Sequence, residues 1–313
     1  MRELVVISGK GGTGKTSVVA ALAVLAPNKV LADCDVDAAN LHLVVQPQVE
    51  REESFSGGNR ASIQPELCNG CGRCVELCRF GAIACRPLDG QKRHVVDPLA
   101  CEGCGVCARF CPQEAIRFEP VENGRWFVSQ TRHGPLVHAR LEAGGQNSGK
   151  LVTLIRRQAR ALGAERGLGL LLVDGSPGVG CPVIASLSGA DLALIVSEPT
   201  VAGQHDFRRV AALAAHFGVP ALLCINKWDL NAELTEALEA EARARRIEPV
   251  GRLRYSPAYT QAQRRGVSVL ESRTDGPAAE LRALWERLRP RLEVTADSRP
   301  NLAPLRILEG GRR

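Results

Sequence analysis

The chain is poor in aromatic residues and has no long apolar run. Phenylalanine, tryptophan and tyrosine make up 4% of its 313 residues, and methionine occurs once. No apolar stretch approaches the roughly 20 residues that a membrane span needs. The amino terminus enters a strand-like pattern directly, without the segments of a signal peptide. We therefore expect a cytoplasmic protein without a membrane span.

Neither sign of charge dominates the sequence. Lysine and arginine number 40 against 34 aspartate and glutamate, a net charge of +6. The densest basic cluster, ARARR at 242–246, has helical periodicity and no interleaved aromatic residues for base stacking. A solvated helix face is the favoured interpretation, and nucleic acid is not expected as a partner.

Short strand signals alternate with segments of helical periodicity. The strand signals are apolar on both faces and lie at 4–8, 30–34, 168–174, 191–197, 221–226 and 248–253. The helical segments lie at about 15–26, 149–163, 202–217, 231–246 and 277–289. This alternation predicts an α/β fold with a doubly wound, mostly parallel sheet covered by helices.

The alternation stops between about 46 and 148, where most of the cysteines lie. A hairpin is predicted around RWFVS (125–129). We therefore expect the α/β domain at 1–60 and 121–290 to contain an inserted α+β domain at 61–120. The remaining segment, 291–313, predicts a loosely ordered tail.

A glycine-rich loop follows the first predicted strand and opens the first helix. GKGGTGKT, residues 9–16, matches G-x-x-x-x-G-K-[ST], whose backbone N–H groups cradle phosphates. Lys15 is expected to reach the β- and γ-phosphates, and the hydroxyl of Thr16 is expected to bind Mg²⁺. The predicted nucleotide ligands here are Gly9, Gly11, Gly12, Thr13, Gly14, Lys15, Thr16 and Ser17.

Further candidates follow other strands, at the edge where ligands bind such sheets. Three aspartates, Asp33, Asp35 and Asp37, compete for one role after the second strand. Asp174 ends an apolar strand and is expected to hold Mg²⁺ through water. Asn226 begins N-K-x-D, a pattern that also reads guanine, so the motif by itself leaves ATP and GTP open.

Twelve cysteines are many for such a chain, and eight fall into two runs of C-x2-C-x2-C-x3-C. Two such runs about 33 residues apart are typical of a bacterial two-cluster ferredoxin, in which the fourth cysteine of each run serves the other cluster. One predicted 4Fe-4S ligand set is Cys68, Cys71, Cys74 and Cys111. The other is Cys101, Cys104, Cys107 and Cys78. Two zinc sites are the alternative.

These motifs resemble those of MinD-superfamily P-loop ATPases, of the deviant Walker A or SIMIBI type, that carry an inserted two-cluster ferredoxin domain. The likeness runs from Gly9 to about Leu288 and includes the stretches at 131–141, 147–159 and 197–210. It implies ATP with Mg²⁺ and a homodimer in which Lys10 reaches the partner's nucleotide. It also selects Asp35 as the switch I residue near the attacking water, and Gly178 as the switch II glycine.

The resemblance leaves some residues in doubt. The loop after the last strand reads Leu253-Arg254-Tyr255-Ser256 where close relatives have I-P-Y-D, and Arg79 follows Cys78 where a proline is usual. Cys181 lies seven residues after Asp174, the offset of a cluster ligand in the nitrogenase iron protein. A structural role is nevertheless favoured for this cysteine, as for Cys34, Cys85 and Cys224.

The leading hypothesis is a slow, partner-stimulated ATPase that acts as a homodimeric switch. It would couple ATP turnover to electron transfer through two 4Fe-4S clusters to a redox or client metalloprotein. The alternative is an ATPase that assembles or carries iron-sulfur clusters or metal centres. A spatial-positioning ATPase is less favoured, because the tail shows no clean amphipathic membrane helix.

Overall fold

The computed structural model describes residues 1–88, 91–142 and 147–293. Within them, the main sheet has nine strands in the order β11-β10-β9-β1-β8-β2-β7-β6-β3. The strands are β1 (Arg2–Ser8), β2 (Lys29–Asp33), β3 (Gln48–Ile63), β6 (Ile116–Thr131), β7 (Gly134–Leu141), β8 (Leu170–Pro177), β9 (Leu192–Ser197), β10 (Ala221–Asn226) and β11 (Glu248–Leu253). A second sheet pairs β4 (Ile83–Leu88) with β5 (Gln91–Val96).

Seven neighbouring strands of the main sheet, from β11 to β7, run parallel. Val5 of β1 pairs with Val173 on one side and with Ala193 on the other. These strands are buried on both faces, which explains their continuous apolar sequences. All six predicted strands are present, and the predicted mostly parallel α/β fold is confirmed.

Helices cover both faces of the sheet. They are α1 (Lys15–Leu25), α2 (Leu41–Val45), α3 (Arg73–Leu77), α4 (Val106–Arg109), α5 (Ser148–Glu165), α6 (Cys181–Leu187), α7 (Val201–His216), α8 (Ala232–Ala244), α9 (Pro257–Arg264), α10 (Val269–Ser272) and α11 (Pro277–Glu293). One core lies under α1 and α11, and the other under α5 and α7. No helix in the described ranges is long and apolar enough to cross a membrane.

A long two-stranded ribbon was not predicted. No strand was predicted between 46 and 66, but β3 pairs antiparallel with β6 from Gln48 opposite Gln130 to Ile63 opposite Ile116. β3 buries few side chains, so its sequence lacks the apolar alternation by which a strand is recognised. The predicted hairpin around 125–129 is present, because β6 turns into β7.

The ribbon joins the main sheet to the cysteine-bearing segment. α3, β4, β5 and α4 lie between its two strands in the chain, and Ile63 and Ile116 form its last pair. Of the segment predicted as a loosely ordered tail, 291–313, residues 291–293 belong to α11 and the rest lies outside the described residues.

Candidate functional site

A cleft of about 570 Å³ opens at the carboxyl ends of the parallel strands. The loop after β1 and the start of α1 line it over residues 11–18, together with Asp35, Asn226 and the loop 253–256. The free N–H groups at the start of α1 give this end of the cleft a positive potential. The cleft can therefore accept an anionic ligand such as a phosphate chain.

Close packing holds the glycine-rich loop in place. Gly14 has a φ of 88°, and a Cβ at this position would lie 2.3 Å from Nδ2 of Asn226. That amide nitrogen donates a hydrogen bond to the carbonyl of Thr13 at 2.8 Å. Gly9 packs equally closely against α7, because a Cβ there would lie 2.4 Å from Cβ of Asp206. The loop therefore requires glycine at these two positions.

Lys15 lies at the centre of the site. Its Nζ is 2.7 Å from Oδ1 of Asp174 and 3.3 Å from Oδ2 of Asp35, and its side chain is 5% exposed. Burial lowers the pKa of Lys15, but the two carboxylates more than offset this effect and the pKa is raised. The lysine is thus held as a cation at the end of the cleft.

The structure separates the three aspartates of the 33–37 segment. Asp33 is fully buried and accepts hydrogen bonds from the N–H groups of Asp35 and Leu41, so it caps the turn. Asp37 is exposed and does not line the cleft, whereas Asp35 does. Burial raises the pKa of the Asp35 carboxyl, and Lys15 opposes the rise.

Asp174 is the carboxylate with spare capacity to bind a ligand. It is fully buried, and its Oδ2 has no hydrogen-bond partner. An unpaired buried carboxylate oxygen is costly, and oxygen atoms of this kind are the ligands that Mg²⁺ prefers. Asp174 lies outside the cleft lining, whereas Thr16 is part of it, so this pair fits a magnesium ion that Asp174 reaches through water.

Gly178 and Lys10 lie beside the cleft rather than in its lining. Gly178 has a φ of 93°, and its N–H donates to the carbonyl of Ser8 at 2.8 Å. Nζ of Lys10 lies 3.0 Å from Oε2 of Glu198 at the end of β9. Lys227 contacts the same carboxylate through Oε1. Glu198 was missed as a site residue, although it lies within a stretch that carries the family resemblance.

The residues of N-K-x-D do not all face the cleft. Asn226 lines it, while its Oδ1 accepts from the N–H of Lys227 at 3.0 Å. Asp229 does not line the cleft, and its carboxylate instead accepts from the N–H of Tyr255 at 2.7 Å. The aspartate of this motif is thus engaged in holding the loop 253–256.

The eight clustered cysteines line two small cavities. One is lined by Cys68, Cys71, Cys74 and Cys111, and the other by Cys78, Cys101, Cys104 and Cys107. Each cavity thus takes three cysteines from one run and the fourth from the other run. Burial raises the pKa of Cys74 and of Cys107, and for Cys107 the neighbouring thiolates, including Cys78, raise it further.

No site for a single metal ion is preformed in the described residues. Across residues 1–88, 91–142 and 147–293, no three His, Cys, Asp or Glu side chains converge closely enough to hold one ion. The four thiolates of a 4Fe-4S cluster each bind a different iron atom, so they stand farther apart than the ligands of one ion. Each cavity thus has four cysteines in its lining.

The other cysteines lie apart from these cavities, whereas His94 lines the cavity of Cys68, Cys71, Cys74 and Cys111. Cys34 and Cys224 are fully buried, whereas Cys85 and Cys181 are exposed. His138 of β7 is buried at the base of the ribbon, the end at which β6 pairs with β7. Its Nε2 is 2.9 Å from Oγ of Ser129. No two of these cysteines form a disulfide.

Comparison with known proteins identifies the nucleotide-binding part of the chain. Residues 4–269 match the family model described as the CobQ/CobB/MinD/ParA nucleotide-binding domain. The chain belongs to this family. It is also 35% identical over 233 residues to an uncharacterised protein of Methanocaldococcus jannaschii, covering 73% of this chain and 79% of that protein.

Solved structures of MinD show the same fold as this family member. The cell division ATPase MinD of Pyrococcus furiosus superposes with a TM-score of 0.54 at 16% identity, covering 92% of this chain and 98% of MinD. MinD of Pyrococcus horikoshii in complex with Mg-ADP gives 0.53 at 14% identity, with 92% and 95% covered. These likenesses establish a MinD-like P-loop fold.

Proposed function

We propose that this protein is an ATP-hydrolysing homodimeric switch that couples nucleotide turnover to electron transfer through two 4Fe-4S clusters. The observation that carries the proposal is the sorting of eight cysteines into two cavities, four to each, on a ribbon that extends from the nucleotide-binding sheet. We assign the ferredoxin unit to residues 61–120 and the ATPase to 1–60 and 121–290.

The nucleotide cleft supports ATP with Mg²⁺ as the ligand. Lys15 is positioned to neutralise the β- and γ-phosphates, and the unpaired Oδ2 of Asp174 fits Mg²⁺ or its bound water. ATP is favoured over GTP because Asp229 is occupied by the loop 253–256 and does not line the cleft. MinD of Pyrococcus horikoshii carries Mg-ADP on the same fold.

The chain's own residues can bind and orient the reacting groups. The N–H groups of the loop and of α1 would hold the phosphates, and Lys15 would offset the charge that develops on them. Asp35 lines the cleft beside Lys15, so we assign it to orient the attacking water. We assign Lys10 to reach the nucleotide of the second subunit, which would make turnover slow until the partner subunit is engaged.

The cysteine cavities support two clusters with exchanged fourth ligands. Because Cys78 and Cys111 each line the cavity of the other run, loss of either run would disturb both sites. When bound, a 4Fe-4S cluster accepts or gives up one electron at a time. Cys71 and Cys104 are exposed, so electrons could pass between each cavity and a partner metalloprotein at the surface.

The segment after Asp35 links the two regions. α2 follows this aspartate by a few residues and leads directly into β3 of the ribbon. Arg132, in the turn between β6 and β7, donates to the carbonyl of Val44 in α2 at 2.7 Å. A displacement of the Asp35 segment on nucleotide binding would therefore reach the base of the ribbon.

Anaerobic purification tests this proposal. We expect about eight iron and eight sulfide per chain, with EPR signals of reduced 4Fe-4S clusters. Addition of MgATP is expected to convert monomers to dimers and to change the midpoint potential or the rate of electron transfer. Zinc in place of iron would refute the cluster assignment. Iron clusters with properties indifferent to MgATP would refute the coupling.

A cluster-carrier ATPase is the alternative, and the exposure of Cys181 favours it. This cysteine begins α6, close to the segment after Asp174, and its thiol is accessible. A carrier would still transfer iron to an apo-protein after Cys68→Ser and would lose this activity after Cys181→Ser. The electron-transfer switch predicts that Cys181→Ser keeps its iron and its response to MgATP.

A further inference from the structure

Glu198 lies between two lysines beside the nucleotide cleft. Its Oε2 is 3.0 Å from Nζ of Lys10, and its Oε1 contacts Nζ of Lys227. Nζ of Lys227 also lies 3.5 Å from the carbonyl of Gly12 in the glycine-rich loop. The carboxylate of Glu198 thus links Lys10, in the glycine-rich loop, to Lys227, which follows Asn226.

The backbone of Glu198 is held rigidly. Its carbonyl accepts a hydrogen bond from the N–H of Thr200 at 2.8 Å, and Oγ1 of Thr200 caps α7 through the N–H of Gly203 at 2.9 Å. A Cβ at Gly203 would lie 2.2 Å from the Glu198 carbonyl oxygen. Glu198 is therefore fixed between the end of β9 and the start of α7, so its carboxylate is presented from a rigid base.

The carboxylate is well suited to hold a cation and to compete with phosphate. Its side chain is 10% exposed, while that of Lys10 is 35% exposed. Burial raises the pKa of Glu198, but hydrogen bonds and charge from Lys227 and Lys10 outweigh burial, and the pKa is lowered. Glu198 is therefore ionised at neutral pH, and it occupies the Lys10 ammonium that an incoming phosphate would otherwise attract.

We propose that Glu198 is a positioning residue that retains Lys10 within its own subunit until nucleotide-driven pairing of two subunits draws it away. This inference rests on the proposed ATP-dependent homodimer. Lys227, on the opposite oxygen, keeps the carboxylate in place when Lys10 leaves. Glu198 thus opposes dimerisation without touching the nucleotide, and it sets the ATP concentration at which the switch closes.

The test is the dependence of dimerisation on the concentration of a non-hydrolysable ATP analogue, measured by analytical ultracentrifugation. Glu198→Gln keeps the size of the side chain and removes its charge. Because partly exposed ion pairs are weak, we expect the half-maximal analogue concentration to fall about two- to five-fold. Glu241→Gln is the matched control, since its carboxylate pairs with Arg208 and Arg245 on other surfaces.

A double-mutant cycle separates this role from a general effect on the cleft. In a Lys10→Ala background, Glu198→Gln should no longer shift the curve, because no Lys10 ammonium is left to release. A shift of equal size in that background, or no shift in the Lys10 protein, would overturn the inference. Failure of the wild-type protein to dimerise with the analogue would instead refute the proposed function.

Glu198→Asp covers the case in which the glutamine variant is poorly folded. It keeps the charge but is one methylene shorter, so it can no longer reach both ammonium groups from the fixed backbone. We expect a smaller shift in the same direction. If the melting temperature equals that of the wild type, the shift in the dimerisation curve reflects the position of the carboxylate and not a loss of stability. An unchanged dimerisation curve with Glu198→Asp contradicts the inference.

Discussion

The nucleotide cleft and the cysteine-bearing segment are built in opposite ways. At the cleft, Lys15, Asp33 and Asp174 are buried and are held by ion pairs and hydrogen bonds from neighbouring elements. In the segment from 64 to 115, the eight clustered cysteines are exposed or half-buried. The first site is organised by ion pairs and hydrogen bonds between side chains, whereas the thiols of the second receive hydrogen bonds from the backbone, such as that from the N–H of Ala82 to Sγ of Cys78 at 3.3 Å.

The distribution of apolar side chains shows the same contrast. Of the fifteen large apolar residues that the described ranges leave exposed, eight lie in this segment: Leu67, Val75, Leu77, Phe80, Val95, Leu99, Val106 and Phe110. A segment of about 50 residues buries a smaller fraction of its surface than a larger domain does, so its stability alone is expected to be marginal. The proposed clusters would add to its stability, because binding to a site absent from the unfolded chain stabilises the fold.

Among the variants that test this contrast, Lys15→Ala is expected to change stability and nucleotide binding the most. It leaves the buried carboxylate of Asp174 without its cation, which costs about 3–5 kcal/mol in the free energy of unfolding. Nucleotide binding is lost as well. Thermal or urea unfolding and titration with an ATP analogue measure the two effects. Lys150→Ala, at an exposed lysine, is the control, and equal stability of the two variants would contradict a cleft organised by Lys15.

Cys78→Ser tests the other region. Although Cys78 belongs to the first run, it lines the cavity of Cys101, Cys104 and Cys107. Iron content is therefore expected to fall from about eight to about four per chain, with loss of the second centre's EPR signal. The segment should become sensitive to protease while nucleotide affinity is kept.

Cys85→Ser is the control for this experiment, since this exposed cysteine lines neither cavity. We expect it to retain about eight iron per chain. Loss of the first centre's signal in Cys78→Ser, with the second retained, would show that the fourth ligands are not exchanged.

Gly14→Ala tests how tightly the glycine-rich loop packs at the cleft. The substitution meets both a φ of 88° and the amide of Asn226, and strain of this kind costs about 1–3 kcal/mol. Weaker binding of an ATP analogue is expected to accompany a lower melting temperature. Gly11→Ala has open space around its Cβ, so its stability should remain close to that of the wild type. Similar losses in both variants would argue against a specific fit at Gly14.

The smallest expected effect concerns His138 in β7, which pairs with Phe127 where the ribbon joins the main sheet. Burial lowers its pKa to about 4, and His42 adds to the shift. The unfolded chain, with a histidine pKa near 6.5, binds a proton that the folded chain excludes. The contribution of His138 to the free energy of unfolding is therefore fully present above pH 6.5 and is lost as the pH falls towards 4. Between pH 7 and 5.5 this residue should account for a loss of about 1 kcal/mol.

His138→Gln isolates this contribution, because glutamine can still hydrogen-bond to Ser129 and does not titrate. Urea unfolding at pH 7 and 5.5 should show a smaller loss in the variant than in the wild type. The same loss in both proteins would mean that other groups determine the acid sensitivity.

The sequence predicted the elements whose residues carry a local signal. The parallel strands were recognisable because each is a short apolar run, and the glycine-rich loop because it follows one of them. The ribbon strand β3 was not recognisable, since its exposed faces leave no apolar alternation. Glu198 was not recognisable either, because its partners Lys10 and Lys227 lie on other loops, distant in sequence.

The sequence by itself determined the parallel α/β fold, the phosphate-binding loop and the presence of two cysteine runs, because each depends on residue types at fixed short spacing. Only the tertiary structure decided which of Asp33, Asp35 and Asp37 lines the cleft, that Asp229 holds a loop, and that Glu198 binds Lys10. Such contacts join segments far apart in the chain, so strand order and packing fix them rather than any local pattern.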